Sequence, residues 1–518
     1  MGTSESKRVL TSSATAIAET IRSGELSSRR AVEIHIEQIQ RVNPTINAVV
    51  RERFDDALAE ADQADEDLKT KNPSELPAFH GVPCTIKECF GLTGMPQSSG
   101  AVKRKGVIAY EDATAVKRLR EAGAIPMGVT NTSELCLWME SNNYVYGRTN
   151  NAYDPKRTVG GSSGGEGAII SAGASPFGLG SDIGGSIRMP AFFNGVFGHK
   201  PTGGLVPGTG QHPCAENEAL RFLTTGPLCR RAEDLMPLLR VMAGPDGVDT
   251  GCFEMPLGDP DEVDLNGLRY LNLRGFKRYP VHSSLKRRQE LMVDLFKRRG
   301  CKVIDIDIPE FSQAFEVWSA MMGEASDTPF VELMGDGDPV NAAAELGKWL
   351  VGQSEHTAMA SLLGLAEKLV DLLPGYRTKL IELGHTLKAR VTEMLDDDGI
   401  MFLPSYTSPA PKHNVPFWNQ LRLRSDYAYT AILNVIEVPV TQVPLGMDRL
   451  KLPLGIQVAA GHGQDHAGQG GGLGRTDRVL QLQREHHRVQ VARREREAGA
   501  RALRFSPAPR ARHDFYRR

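Results

Sequence analysis

The chain has 518 residues, a hydrophobic fraction of 40% and a net charge of −2, enough for a large buried core and without a charge excess that favours nucleic acid. No apolar run approaches the roughly 18 residues needed to cross a bilayer, and the 7 cysteines are scattered, without a CxxC pair or a preceding secretory leader. These features exclude a disulfide scaffold and a membrane-spanning class, and they predict free thiols in a reducing cytoplasm.

Residues 1–10 read as a disordered start. The segment "LSSRRAVEIHIEQIQRVNP" predicts a helix with Ser27 or Ser28 as N-cap, Val32, Ile36, Ile39 and Val42 on one face, and Pro44 as its stop. A strongly charged helix follows from about Phe54 to Thr70. "HGVPCTIKECF" is a short β-branched segment bounded by glycine and proline, and it carries Lys87 near its end. "DATAVKRLREAGAIPMGVTN" then reads as helix, turn and strand. From about Asp264 to Ile308 a strand, a helix and a strand recur, and from about Phe311 to Leu395 the pattern is mostly helical. Strands return at "GIMFLPSY" and "LPLGIQVAA". This alternation predicts an α/β fold with a mixed sheet wrapped by helices, in one domain over residues 11–461.

From His462 to the end the composition changes to 13 arginines, no lysine and 6 acids, a charge of +7 against −9 for the rest. We read residues 462–518 as an atypical arginine-rich tail, disordered or arising from a shifted reading frame. A basic RNA-binding tail is the rival there, but aromatic residues are missing until Phe505.

The chemistry concentrates between Gly160 and Pro190, "GGSSGGEGAIISAGASPFGLGSDIGGSIRMP". A backbone so rich in glycine either cradles an anion or leaves a nucleophile uncrowded. No GxxxxGK run exists, so a phosphate loop is excluded, and the GxGxxxG of "GLGSDIG" is weak support for a dinucleotide. Two nucleophile readings remain. Gly161 to Gly165 matches the GxSxG elbow of α/β-hydrolases with Ser163 as nucleophile. The second reading uses Ser162 and Ser186, each beside paired glycines, together with Lys87.

This second pattern resembles the amidase signature family, whose motif is matched from Gly160 to Ala191. Within it, "TNTSELCLWMES", "YGRTNNAYDP" and "DIGGSIRMPAFFNGVFGHKP" are similar to segments of the fatty-acid amide hydrolases. The resemblance implies Ser186 as nucleophile, Ser162 as a bridging serine on a cis peptide after Gly161, and Lys87 as base. It further implies an oxyanion hole from the N–H groups of Ile183, Gly184, Gly185 and Ser186, with Ser163, Asp182 and Arg188 in support. The substrate so implied is a small lipid amide, cleaved through an acyl-enzyme without metal or cofactor. Nucleic acid is not an expected partner; peripheral membrane contact and a homodimer are compatible with the resemblance.

The physical logic stands beside the family name. A serine hydroxyl is a poor nucleophile until a base takes its proton, and a lysine serves only if burial brings it into the site neutral, far below its usual pKa of about 10.4. Bare glycine amides beside Ser186 suit a developing oxyanion. Two other functions share the motif: an amidotransferase component that frees ammonia from glutamine for a tRNA-bound partner, and an inactive amidase-like binding protein.

Overall fold

Apolar residues follow one another without alternation in "GIMFLP" (399–404) and "PLGIQVAA" (453–460), as strands covered on both faces require. The structure, a computed structural model, describes residues 4–371, 374–415 and 427–461. Its strands are β1 Val49–Glu52, β2 Val82–Lys87, β3 Ala124–Thr130, β4 Asn142–Asn143, β5 Gly147–Arg148, β6 Phe177–Asp182, β7 Phe197–Lys200, β8 Thr224–Cys229, β9 Arg269–Leu273, β10 Lys302–Ile306, β11 Gly399–Pro404, β12 Val440–Met447 and β13 Pro453–Ala460. β4 and β5 pair separately; the others form one 11-stranded sheet in the order β1-β3-β2-β6-β8-β7-β12-β13-β11-β9-β10. Pairing is mixed: β2 runs parallel to β3 and β6, β9 runs parallel to β10 and β11, and the strands between β6 and β11 pair antiparallel.

The two faces carry separate cores. On β11, Ile400 and Phe402 join Met292 and Phe296 of the Ser283–Arg298 helix, whereas Met401 and Leu403 join Met321 and Leu387 on the opposite side. Successive residues point to opposite faces of a strand, so both sets must be apolar for both faces to be buried. Burial on this scale stabilises by roughly 25 cal/mol per Å² of apolar surface removed from water, which is why neither helical layer is dispensable.

The helix bounded by Ser27 runs from Ser28 to Ile46, and Ser27 accepts a bond from the Arg30 N–H at 3.0 Å. Pro44 does not stop it. The proline removes one hydrogen bond near the end, and the helix closes three residues later at Asn47, in the left-handed conformation at φ 48°. The charged helix covers Phe54–Thr70 as expected. The start of the chain differs from expectation: Ser4–Thr11 is helical, with Val9 buried in the core. Two adjacent apolar residues, Val9 and Leu10, at the end of an otherwise polar segment give no helical period. The arginine-rich tail over residues 462–518 lies outside the described residues.

The next helix, Ala14–Arg22, is capped by Ser13, whose hydroxyl accepts the Ala16 N–H at 3.1 Å, and by a residue far along the chain. Buried Asp234 accepts the N–H groups of Ala14 and Thr15, each at 2.9 Å, and also the Thr15 hydroxyl. Unpaired N–H groups at a helix start need such acceptors. Asp234→Ala should lower the unfolding free energy by about 1–2 kcal/mol, read as a reduced urea midpoint with an unchanged slope.

Candidate active site

Lys87 is the last residue of β2, the central member of the parallel trio β3-β2-β6. Parallel strands present ligands at their carboxyl ends, and the chain following β6 turns back over this same end. Lys87 is fully buried; its Nζ donates to Ser162 Oγ at 2.6 Å and to Ser181 Oγ at 2.9 Å. No carboxylate lies within ion-pairing distance of it among the described residues. Glu166 sits behind, accepting bonds from Thr85 and Thr130 at 2.6 and 2.8 Å, and burial pushes its carboxyl up to about 8. Both Glu166 oxygens are thus engaged by threonine hydroxyls, and neither is hydrogen-bonded to Lys87.

Ser162 belongs to the turn that enters the Gly164–Ser171 helix, and its peptide bond with Gly161 is cis. Gly161 is required by close approach: a Cβ there would lie 2.2 Å from the Trp138 carbonyl oxygen. Ser141 staples the turn, donating to the Ser162 carbonyl at 3.1 Å and accepting the Gly164 N–H at 3.0 Å. Ser163 points elsewhere than the elbow reading requires. Its hydroxyl donates to the Ser181 carbonyl at 3.2 Å, and its N–H donates to the Ser186 carbonyl at 3.1 Å. That second bond sets the Ser162 turn against the Ser186 loop.

Ser186 lies in the loop between β6 and the Arg188–Asn194 helix and is 9% exposed. Asp182 shapes this loop, with its Oδ1 accepting the Gly185 N–H at 2.8 Å and its Oδ2 accepting the Ile187 N–H at 3.0 Å. Gly185 adopts φ +125°, and a Cβ there would sit 2.8 Å from Thr430 Cβ, so both its conformation and its surroundings demand glycine. The expected oxyanion set needs one correction. The Gly185 N–H is already bonded to Asp182, whereas the N–H groups of Ile183, Gly184 and Ser186 have no acceptor among the described residues.

Arg188 and Asp182 form a fully buried two-pronged pair, Nε to Oδ2 at 3.0 Å and Nη2 to Oδ1 at 2.9 Å. Arg188 also donates to Thr430 O, Gln457 Oε1 and Asn434 Oδ1 at 3.1, 2.8 and 2.7 Å. Burial opposes ionisation of Asp182, yet the Arg188 charge and these hydrogen bonds hold its carboxyl well below the usual range.

The described structure thus brings Lys87, Ser162, Ser163, Asp182, Ser186 and Arg188 into one buried region. Reading the sequence missed Ser181, Ser141, Asn434 and Gln457. Ser181 left a trace, a hydroxyl two residues after Leu179 and beside Asp182 at the end of β6; Asn434 and Gln457 are 246 and 269 residues from Arg188 and left none. Arg188→Leu should cost about 3–5 kcal/mol in urea unfolding, because it leaves a buried carboxylate unpaired. In the parent protein the Asp182 contribution should be fully present above about pH 4, the unfolded carboxyl's range, and be lost as pH falls below it.

Comparison with known proteins agrees with this geometry. The family described as Amidase matches residues 30–467. Fatty-acid amide hydrolase 2-A of Danio rerio is 43% identical over 470 residues, covering 88% of this chain and 86% of the relative. Fatty-acid amide hydrolase 2 of Homo sapiens is 42% identical over 466 residues, covering 87% and 86%. A glutamyl-tRNA(Gln) amidotransferase component of Corynebacterium diphtheriae is 33% identical over 313 residues, covering 59% of this chain and 62% of its own. A solved fatty acid amide hydrolase shares the fold at TM-score 0.69 and 20% identity, covering 93% of this chain and 86% of that one. With its motif residues gathered at one strand end and this likeness running through nearly its whole described length, the chain belongs to the amidase signature family.

Proposed function

We propose that this chain is a serine amidase that cleaves fatty-acid amides, primary amides and N-acylethanolamines among them, to free acid and amine through an acyl-enzyme on Ser186. The observation that carries the reading is the 2.6 Å hydrogen bond between buried Lys87 and Ser162. The mechanism needs this amine in its neutral form; in the same position it then accepts the Ser162 proton along the same short contact. Ser162 in turn takes the proton of Ser186 as that hydroxyl attacks the carbonyl carbon. The resulting oxyanion finds the free amides of Ile183, Gly184 and Ser186. On collapse the C–N bond breaks and Ser162 passes its proton to the departing amine, while Lys87 returns the one it holds. Water then repeats the cycle on the acyl-enzyme, releasing the acid.

The lipid part of the reading is supported by three relatives named as fatty-acid amide hydrolases, 42–43% identical and each covering 87–88% of the chain. The amidotransferase components are less similar, 33% identical over 59% of the chain or 26% identical over 86% of it, and give the glutamine reading less support. No helix among the described residues is long and apolar enough to cross a membrane. Peripheral contact is part of our reading, at the exposed pair Leu350 and Val351 that ends the Ala342–Leu350 helix.

Two experiments test the proposal. Ser186→Ala, Ser162→Ala and Lys87→Ala should each lower oleoyl amide hydrolysis by about 100-fold or more, and Ser186→Ala should abolish labelling by a fluorophosphonate probe. Labelling lost in Ser163→Ala but kept in Ser186→Ala would instead favour the elbow reading. Across oleoyl, arachidonoyl and short acyl amides, kcat/KM should rise with acyl length; indifference to length, or ammonia release from glutamine at a comparable rate, would undercut the lipid assignment.

A further inference from the structure

The loop after β6 has anchors of its own along most of its length. Asp182 holds the N–H groups of Gly185 and Ile187, and the Ser163 N–H holds the Ser186 carbonyl. The peptide between Ile183 and Gly184 is held differently. Its carbonyl accepts a bond at 2.7 Å from the indole Nε1–H of Trp318, a residue 135 positions away on the Ala314–Ala325 helix.

A peptide group is planar, and in the trans form its C=O and N–H point in opposite directions. The only cis bonds among the described residues are Gly161–Ser162 and His212–Pro213, so the Ile183–Gly184 unit is trans. Fixing the Ile183 carbonyl therefore fixes where the Gly184 N–H aims. The bond also polarises the amide, which makes that N–H a somewhat better donor. Trp318 is itself held in place: its ring stacks on Tyr427 at 6.1 Å and 8°, and Phe315 packs against both rings at 6.1 and 5.7 Å. The rings lie over Gly184, since a Cβ built there would meet Trp318 Cζ2 at 3.5 Å and Tyr427 Cε1 at 3.6 Å, ordinary van der Waals contact for an added methyl group.

We propose that Trp318 is a positioning residue for the oxyanion hole, acting through the Ile183–Gly184 peptide to aim the Gly184 N–H at the tetrahedral oxygen. The inference rests on the reading of Ser186 as nucleophile. It adds a function for the helical region: one helix supplies the orienting hydrogen bond that the strand–loop–helix motif lacks.

The test compares the parent protein with Trp318→Phe, and with β-(3-benzothienyl)alanine at position 318, which keeps the bicyclic shape and loses only the N–H. The readouts are oleoyl amide hydrolysis, inhibition by an oleyl trifluoromethyl ketone, inhibition by free oleic acid, and the urea midpoint. The ketone forms a tetrahedral adduct and so reports on the oxyanion site, whereas oleic acid reports on acyl binding. We expect kcat to fall by about tenfold or more while KM stays within about twofold, with ketone affinity weakened by the same factor as kcat. Oleic acid inhibition and the urea midpoint should not move. Unchanged kcat and ketone affinity in the benzothienyl protein would overturn the inference, as would a rise in KM alone, which would make Trp318 a wall of the acyl site. A parent protein that binds no ketone would remove the Ser186 reading, and this inference with it; the two failures are thus distinguishable.

Discussion

Lys87 donates to Ser162 at 2.6 Å from a position that water does not reach, and its other partner is a second hydroxyl, Ser181 at 2.9 Å. Both partners are neutral hydroxyls, and no carboxylate among the described residues stands at ion-pairing distance from the amine. The nearest acid that a sequence reader would suspect, the adjoining Glu88, faces away. It accepts the N–H groups of Ser98 and Ser99 at 2.7 Å each and the Tyr146 hydroxyl at 2.7 Å. Glu166 is occupied by two threonines, and burial raises its carboxyl above the ordinary range. Hydroxyls around the amine and acids turned elsewhere are the features on which the proposed base role of Lys87 rests.

The same economy of partners shapes the nucleophile loop. Asp182 uses its two oxygens for the loop amides, for Arg188 and for Asn434, and Arg188 distributes its remaining donors to Thr430, Asn434 and Gln457. Gln457 lies on β13 and Asn434 in the short helix Ile432–Val435, so the loop is bonded to parts of the chain that close the other half of the sheet. A buried ion pair of this kind adds little net stability over an apolar substitute, but losing one partner is costly. Its value here is geometric. It engages the amides of Gly185 and Ile187, while the carbonyls of Ile183 and Gly185 are bonded by Trp318 Nε1–H and the Met189 N–H.

Much of this was legible in the residues. Strands β2, β3, β9, β10, β11 and β13 follow from β-branched or apolar runs bounded by turn residues, and the long charged helix at Phe54–Thr70 matched its pattern in full. β6 and β8, "FGLGSD" and "TTGPLC", were hidden because glycine and proline erase the usual strand signal; their place is dictated by neighbours packed too closely for side chains. At Gly178 a Cβ would fall 1.8 Å from Glu166 Oε2, a contact visible only in three dimensions. The site divides the same way. Lys87, Ser162 and Ser186 stand out by spacing and motif, whereas the occupation of the Gly185 amide by Asp182 and the reach of Trp318 to Ile183 depend on register and on a distant helix. Sequence patterns report faces and periods; they do not report which of several adjacent amides is already bonded.

The central claim, that Ser162 carries a proton between Lys87 and the reacting groups, has one especially direct test. A departing amine must be protonated as it leaves, whereas an alkoxide of the same acyl group depends on that proton much less. Amide and methyl ester of one fatty acid should therefore be compared in the parent protein and in Ser162→Ala. The account predicts that amide hydrolysis falls by about tenfold or more beyond the loss seen with the ester. An equal loss for both substrates, or an amide rate unchanged by the substitution, would contradict it.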